Sequence, residues 1–321
     1  MTFRPVAVGC LILASACGRG NGGGAGEADA GGETGPTGAH HHYVVDSMKL
    51  PANATDAAAF GADVDGDATI DNQLGQILAS FAATGADFTA ASNDMIDRGE
   101  VVLLADLQTA DLVNATRVGF TFFRGASPSP APCTDPLDSI CRRHLNGSGT
   151  FTVFPGSGTA TTVVGALSAG AFTTSQPGDL LLVLPIGTTA VEFHPVLGRT
   201  KVTAVAAASL QGGTVAGAIP NAEFQSAFVP AFHSTIRETV LRDCTSTMAP
   251  DCGCMADSAG KELLSVFDED SDCSVSLAEF QTNSLTASVF APDVDTNNDG
   301  TKDAVSFGIA FTAVSAAFPQ P

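Results

Sequence analysis

Apolar and polar residues alternate over positions 43–50, the two-residue period of a strand with one buried face. Pro51 ends the run because it has no N–H to give a ladder. Leu74, Ile77, Leu78 and Phe81 then recur at three- and four-residue spacing, which predicts a helix over residues 72–83, and residues 88–96 read as a second short helix. Between residues 100 and 220 the texture changes. The runs VVLLADL, TRVGFTFF, GTFTVF, GDLLLVLP, TAVEFHPV and RTKVTAVAAASL are β-like, carry few charges and are cut by Gly and Pro. Many short strands separated by turn residues predict a mainly β domain of the β-sandwich or jelly-roll kind; a parallel β-helix would need a repeat period that the runs lack. Residues 228–241 return to helical spacing.

Charge changes this picture at one end. Of 321 residues, 44% are hydrophobic, and Lys+Arg 14 against Asp+Glu 34 leave a net charge of -20. A chain this apolar folds around a real core, while one this acidic is a poor partner for phosphate backbones, which argues against nucleic acid and against anionic membrane surfaces. Residues 251–303 hold twelve carboxylates and only two lysines, so half of the negative excess lies in about a sixth of the chain.

The N-terminal residues MTFRPVAVGCLILASAC combine one basic residue, a short apolar run and small residues before Cys17, the pattern of a secretory signal too brief to span a bilayer. The ending resembles the lipobox of bacterial lipoproteins, although Ala14 stands where Leu or Val is commoner. The resemblance implies lipidation of Cys17, and Gly18 after it implies outer-membrane sorting in a Gram-negative envelope. Contact with a membrane is then expected through the lipid anchor only. Residues 18–42 read as a flexible Gly-rich tether closed by His40, His41 and His42, since adjacent imidazoles do not converge on one ion. Beyond it the chain divides into residues 43–240, a β-rich domain with an N-terminal helical insertion, and residues 241–321, an acidic, cysteine-bearing, calcium-binding region.

Six cysteines remain once Cys10 and Cys17 are set aside, an even number that in an exported chain implies disulfides. Cys133 and Cys141 bracket a short loop and are the expected pair. Cys244, Cys252, Cys254 and Cys273 allow three connectivities; a zinc site on these four thiolates is disfavoured because Cys252-Gly253-Cys254 lacks the usual two-residue gap.

In VFDEDSDCSVSLAEF, Asp268, Asp270 and Asp272 fall at the first, third and fifth places of a twelve-residue loop, with Ser274 seventh, Ser276 ninth and Glu279 twelfth. That order supplies the carboxylates, the carbonyl, the water-bridging hydroxyl and the bidentate Glu that Ca²⁺ wants among its six to eight oxygens. Val275 is the apolar eighth residue, Ser258 can cap an entering helix carrying Leu263, Leu264 and Phe267, and Leu277, Phe280 and Leu285 can form an exit helix. Over about thirty residues the segment resembles an EF-hand. It departs at the sixth place, where Cys273 replaces Gly at a cost on the order of 1 kcal/mol, and a disulfide is expected to hold the turn instead. Two further segments repeat the first nine places: Asp63, Asp65, Asp67, Asp71, and Asp295, Asn297, Asp299, Asp303. Their twelfth residues are Leu74 and Ser306, so they look more like thrombospondin type 3 or dockerin loops, in which water or another segment completes the shell; Asp293 is a candidate extra ligand for the last.

His144, His194 and His233 are scattered and fit no zinc spacing, no GxSxG elbow occurs, and one tyrosine with no tryptophan supplies little for stacking on sugars. The sequence therefore favours a calcium-stabilised envelope lipoprotein whose β-rich domain binds or adheres to a protein or glycan. An exported hydrolase with an unrecognised site and a calcium-sensing surface protein are the alternatives.

Overall fold

The computed structural model describes residues 35–82, 87–135, 138, 141–155, 161–246, 248 and 252–319. The expected export signal, Cys17 and the part of the expected tether up to residue 34 lie outside them. Residues 35–321 form one compact unit.

Its centre is a closed antiparallel barrel, not the expected sandwich or jelly roll. The ring runs β1 (Ala39–Lys49), β2 (Leu103–Thr109), β3 (Ala115–Ser129), β5 (Val163–Ser168), β6 (Ala171–Thr174), β9 (Val196–Ala206), β10 (Ser209–Pro220) and β11 (Ala304–Ala317), and β11 returns to β1. Two pairings close it. The first strand meets the last, with Tyr43 opposite Ser315 and Met48 opposite Phe311, and long β3 pairs with β2 and also with β5. A sandwich leaves these edges open; the barrel satisfies them. Outside the ring, β4 (Gly149–Val153) joins the end of β3 to Ala316 and Ala317, and β7 (Leu182–Ile186) with β8 (Thr189–Phe193) forms a separate hairpin.

The alternation of the strands sorts side chains between the two faces. Phe120, Phe122, Phe172 and Phe311 are buried together, with neighbouring ring centroids 5.0 to 5.6 Å apart, while Thr173, Lys201 and Thr203 face outward and are exposed. Side chains thus fill the lumen, as expected for a barrel of this size.

Two sequence boundaries move. Residues 39–42, expected as the end of a tether, lie in β1, which carries His40, His41 and His42. Residues 241–321, read as a region following the β-rich domain, also supply the barrel strand β11.

Between β1 and β2 lie α2 (Gln73–Ala82) and α3 (Phe88–Asp97), at the places where apolar residues recur with helical spacing, and before them α1 (Ala54–Phe60), which that spacing does not mark and which Asn53 caps. After β10, α4 (Asn221–Glu223) runs through a π-helical turn, Phe224–Phe228, into α5 (Val229–Asp243); α6 (Ala259–Phe267), α7 (Leu277–Thr282) and α8 (Ser284–Val289) follow. The exit helix expected through Leu285 is broken at Asn283, whose extended backbone caps α8 and whose side-chain amide donates to the Val266 carbonyl at 2.9 Å. A chain of aromatic contacts, Phe307–Phe193–Phe228–Phe224–Phe290–Phe280–Phe267, runs from β11 to α6 and α7. The loop between those two helices is therefore anchored to the barrel through rings.

All six cysteines of the described residues are paired, as Cys133–Cys141, Cys244–Cys254 and Cys252–Cys273. No thiolate of the four C-terminal cysteines is left for zinc.

Candidate metal centres

Residues 63–71, 268–279 and 295–303 share one backbone. In each loop the fourth and sixth residues have positive φ: Gly66 and Ala68, Ser271 and Cys273, Asn298 and Gly300. This hand turns three N–H groups inward onto the loop's own side chains. The sixth N–H donates to the first Asp, from Ala68 to Asp63 at 3.2 Å, Cys273 to Asp268 at 2.9 Å and Gly300 to Asp295 at 2.7 Å. The fifth donates to the third residue, at 3.2, 3.2 and 2.9 Å, and the seventh to the fifth, at 2.7, 2.8 and 2.8 Å. These are Asx turns nested in one another, the local geometry that Asp and Asn favour.

The loops differ in how they close. In the middle loop Glu279 accepts from the second residue's N–H, that of Glu269, at 3.1 Å. In the others the ninth residue takes that N–H: Asp71 accepts from Val64 at 2.8 Å, and Asp303 from Thr296 at 2.9 Å. A carboxylate at the ninth place thus makes the bond made elsewhere by the Glu at the twelfth. The spacing of Asp71 and Asp303 was legible in the sequence; this equivalence was not, because it depends on how far the chain turns before the closing residue.

Convergence of oxygens follows from this closure. Asp268, Asp270 and Glu279 bring carboxylate oxygens within 4.8 Å of one another, and so do Asp63, Asp65 and Asp71, so each group can hold a metal ion. Asp67 and Asp272 lie on the same turns but outside these groups, their carboxylates receiving Thr69 and Ser274. Ser274 also donates its hydroxyl to Asp272, and Ser276 caps α7 in a reciprocal box with Glu279. In the last loop Asp303 is drawn toward Thr296 and the Asn297 amide, and Asp295, Asp299 and Asp303 do not form such a group among the described residues. Asp293 is not turned into that loop; it accepts from the N–H and hydroxyl of Ser306.

The donor sets fit a hard cation. Among the described residues no Lys or Arg side chain pairs with Asp63, Asp65, Asp71, Asp268, Asp270 or Glu279. Burial, then the neighbouring charges of Asp65, Asp293 and Asp67, pushes Asp71 above the usual carboxylate range. Desolvation, then Asp272 and Glu279, does the same to Asp270. For Glu279 desolvation is outweighed by the N–H and hydroxyl of Ser276 and the N–H groups of Asp270 and Glu269, which hold it low. A divalent ion relieves such crowding.

The first and last loops are neighbours. Ala62, Val64, Val294 and Ala304 pack with Ala216 and Ala218 of β10 in a small apolar cluster. Bridges Ala62–Asp71 and Val294–Ala304 clamp the loop mouths, and the Ser306 hydroxyl joins them by accepting from Gln73 N–H while donating to Asp293.

The scattered histidines have structural settings. His194 pairs with Glu223 at 3.0 Å, His233 bonds the Val275 carbonyl at 2.7 Å, and buried His144 lies edge-on to Phe151. A comparison with protein-family models finds no match, and comparisons with curated proteins and with solved structures find none either.

Proposed function

We propose that this protein is a calcium-binding lipoprotein of the bacterial cell envelope, in which calcium is mainly structural and the barrel serves as a binding or adhesion module. The observation that carries the reading is the shared loop closure, in which Glu279 and Asp71 complete two sets of convergent carboxylate oxygens. Oxygen-only donors in flexible Asp-rich turns suit Ca²⁺ better than Mg²⁺, which demands a tighter octahedron. Three disulfides agree with export to an oxidising compartment. The loops sit at the ends of α1, α6 and β11, so an ion there would clip helices to barrel, and the filled lumen leaves the outer surface and loops to meet a protein or glycan partner.

Calorimetric titration with Ca²⁺ and Mg²⁺, read beside the melting temperature with and without chelator, tests the calcium reading. Two or three calcium equivalents with a raised melting temperature are expected. Absence of both binding and thermal shift overturns it. The anchor is tested separately: Cys17→Ala should move the protein from the membrane to the soluble fraction, and an unmoved protein would refute lipidation.

A further inference from the structure

The register of the first two barrel strands assembles a group that the sequence scatters. β1 and β2 pair so that His42 faces Asp106 and His40 faces Gln108. Alternate residues of a strand share a face, so His40, His42 and Asp106 lie together, and His41 belongs to the opposite face with Tyr43. The His40 Nδ1 is 2.7 Å from one oxygen of Asp106, and the His42 Nε2 is 3.7 Å from the other. One ligand atom from each side chain falls within 4.8 Å of the other two.

Asp106 is the decisive member. A carboxylate in the middle of a barrel strand is costly to bury, and its side chain is 6% exposed. Its Oδ1 is buried and has no hydrogen-bond partner among the described residues, yet faces His42. A simple His40–Asp106 ion pair accounts for the other oxygen and leaves this one unexplained. The His42 ring is also held, stacked on Phe318 at 4.1 Å between centroids with 19° between planes. His40 is the more exposed end, its side chain 38% accessible, and offers an approach from solvent.

We infer that His40, His42 and Asp106 bind a divalent transition-metal ion of the Zn²⁺ class, at a site distinct from the carboxylate loops. Two imidazoles with one carboxylate select such ions over Ca²⁺, which takes six to eight oxygens. Three protein donors leave a coordination position for water or an outside ligand, the arrangement of an open site rather than a closed structural one.

The test uses the full chain in excess Ca²⁺, so that the carboxylate loops do not compete, titrated with Zn²⁺ in a calorimeter. One equivalent is expected, weakened more than about 100-fold in the His40→Gln/His42→Gln pair and retained in His41→Gln and in Glu279→Gln. X-ray absorption of the zinc-loaded wild type should show two imidazole ligands, a readout that needs no variant to fold. Zinc displaced by Ca²⁺, zinc binding indifferent to the double change, equal loss in His41→Gln as adjacent histidines on a tether would give, or an oxygen-only spectrum would each overturn the site. The calcium reading stands or falls apart from it, since Glu279→Gln alters only the loop.

Discussion

Cys273 is joined to Cys252 by a disulfide, and both residues stand in the left-handed region, at φ 66° and 47°. At Cys273 this is the sixth place of the middle loop, where glycine's freedom would ordinarily supply the turn. The bridge holds what the side chain disfavours, and it ties the loop to the segment before α6.

Replacing the pair as Cys252→Ser/Cys273→Gly removes a cross-link spanning 21 positions and relieves the turn. The lost loop closure is worth about 3 kcal/mol and the relief on the order of 1, so a net loss of about 2 kcal/mol is expected by denaturant titration. Cys252→Ser/Cys273→Ser, which keeps the strained turn, should lose more. Equal losses would show that the backbone hand at this position costs nothing.

The equivalence of Asp71 and Glu279 at the second N–H of their loops predicts separable effects on cation binding. Asp71→Asn should abolish the equivalent bound at residues 63–71 while leaving that at 268–279, and Glu279→Gln should do the reverse. Calorimetric stoichiometry falling by one in each variant, and by two in the double variant, checks it.

Tyr43 is the only tyrosine in a chain without tryptophan, so the tyrosinate absorbance band reports it alone. Its buried hydroxyl donates to the Ala206 carbonyl at 2.9 Å, and burial, then the charge of Asp106, pushes its pKa up to about 12. The folded protein thus keeps a proton that the unfolded chain loses near about pH 10, so this contribution is complete below that pH and is lost as pH rises toward about 12. A spectrophotometric midpoint near the ordinary value, with the protein still folded, would contradict the buried phenol.

His233 holds the apolar eighth place of the middle loop by bonding the Val275 carbonyl, and Val275 itself is buried. His233→Ala leaves that carbonyl without this partner, at a cost of about 1–3 kcal/mol. Thermal melts should register the loss, and calcium affinity should fall at residues 268–279 but not at 63–71. Uniform weakening at both would mean that the effect is global.

Much of this was legible locally. The helix pattern around Leu74 and Ile77 produced α2, the cap at Ser258 is in place, and the Asp spacing marks all three turns, because helices, caps and Asx turns are built from residues within a few positions of one another. Proximity of Asp293 in sequence to the last loop says nothing about Ser306, whose N–H and hydroxyl bond its carboxylate from the start of β11. Nothing local to His40 and His42 predicts that they converge, because Asp106, sixty-six residues from His40, brings them together.

By itself the sequence determined that the chain is mainly β with an acidic, cysteine-bearing end, that helices form around Leu74 and Ile77 and between Phe88 and Ile96, and which loops carry the carboxylates. Those features follow from short-range periodicity, turn chemistry and side-chain charge. Only the tertiary structure decided that the strands close into a barrel, how the four C-terminal cysteines join, that the first and last loops share a cluster, and that His42 faces Asp106. Each of these depends on partners far apart in the chain, such as Tyr43 and Ser315, whose pairing is chosen by the collective burial of a core and by the satisfaction of strand edges rather than by any local pattern.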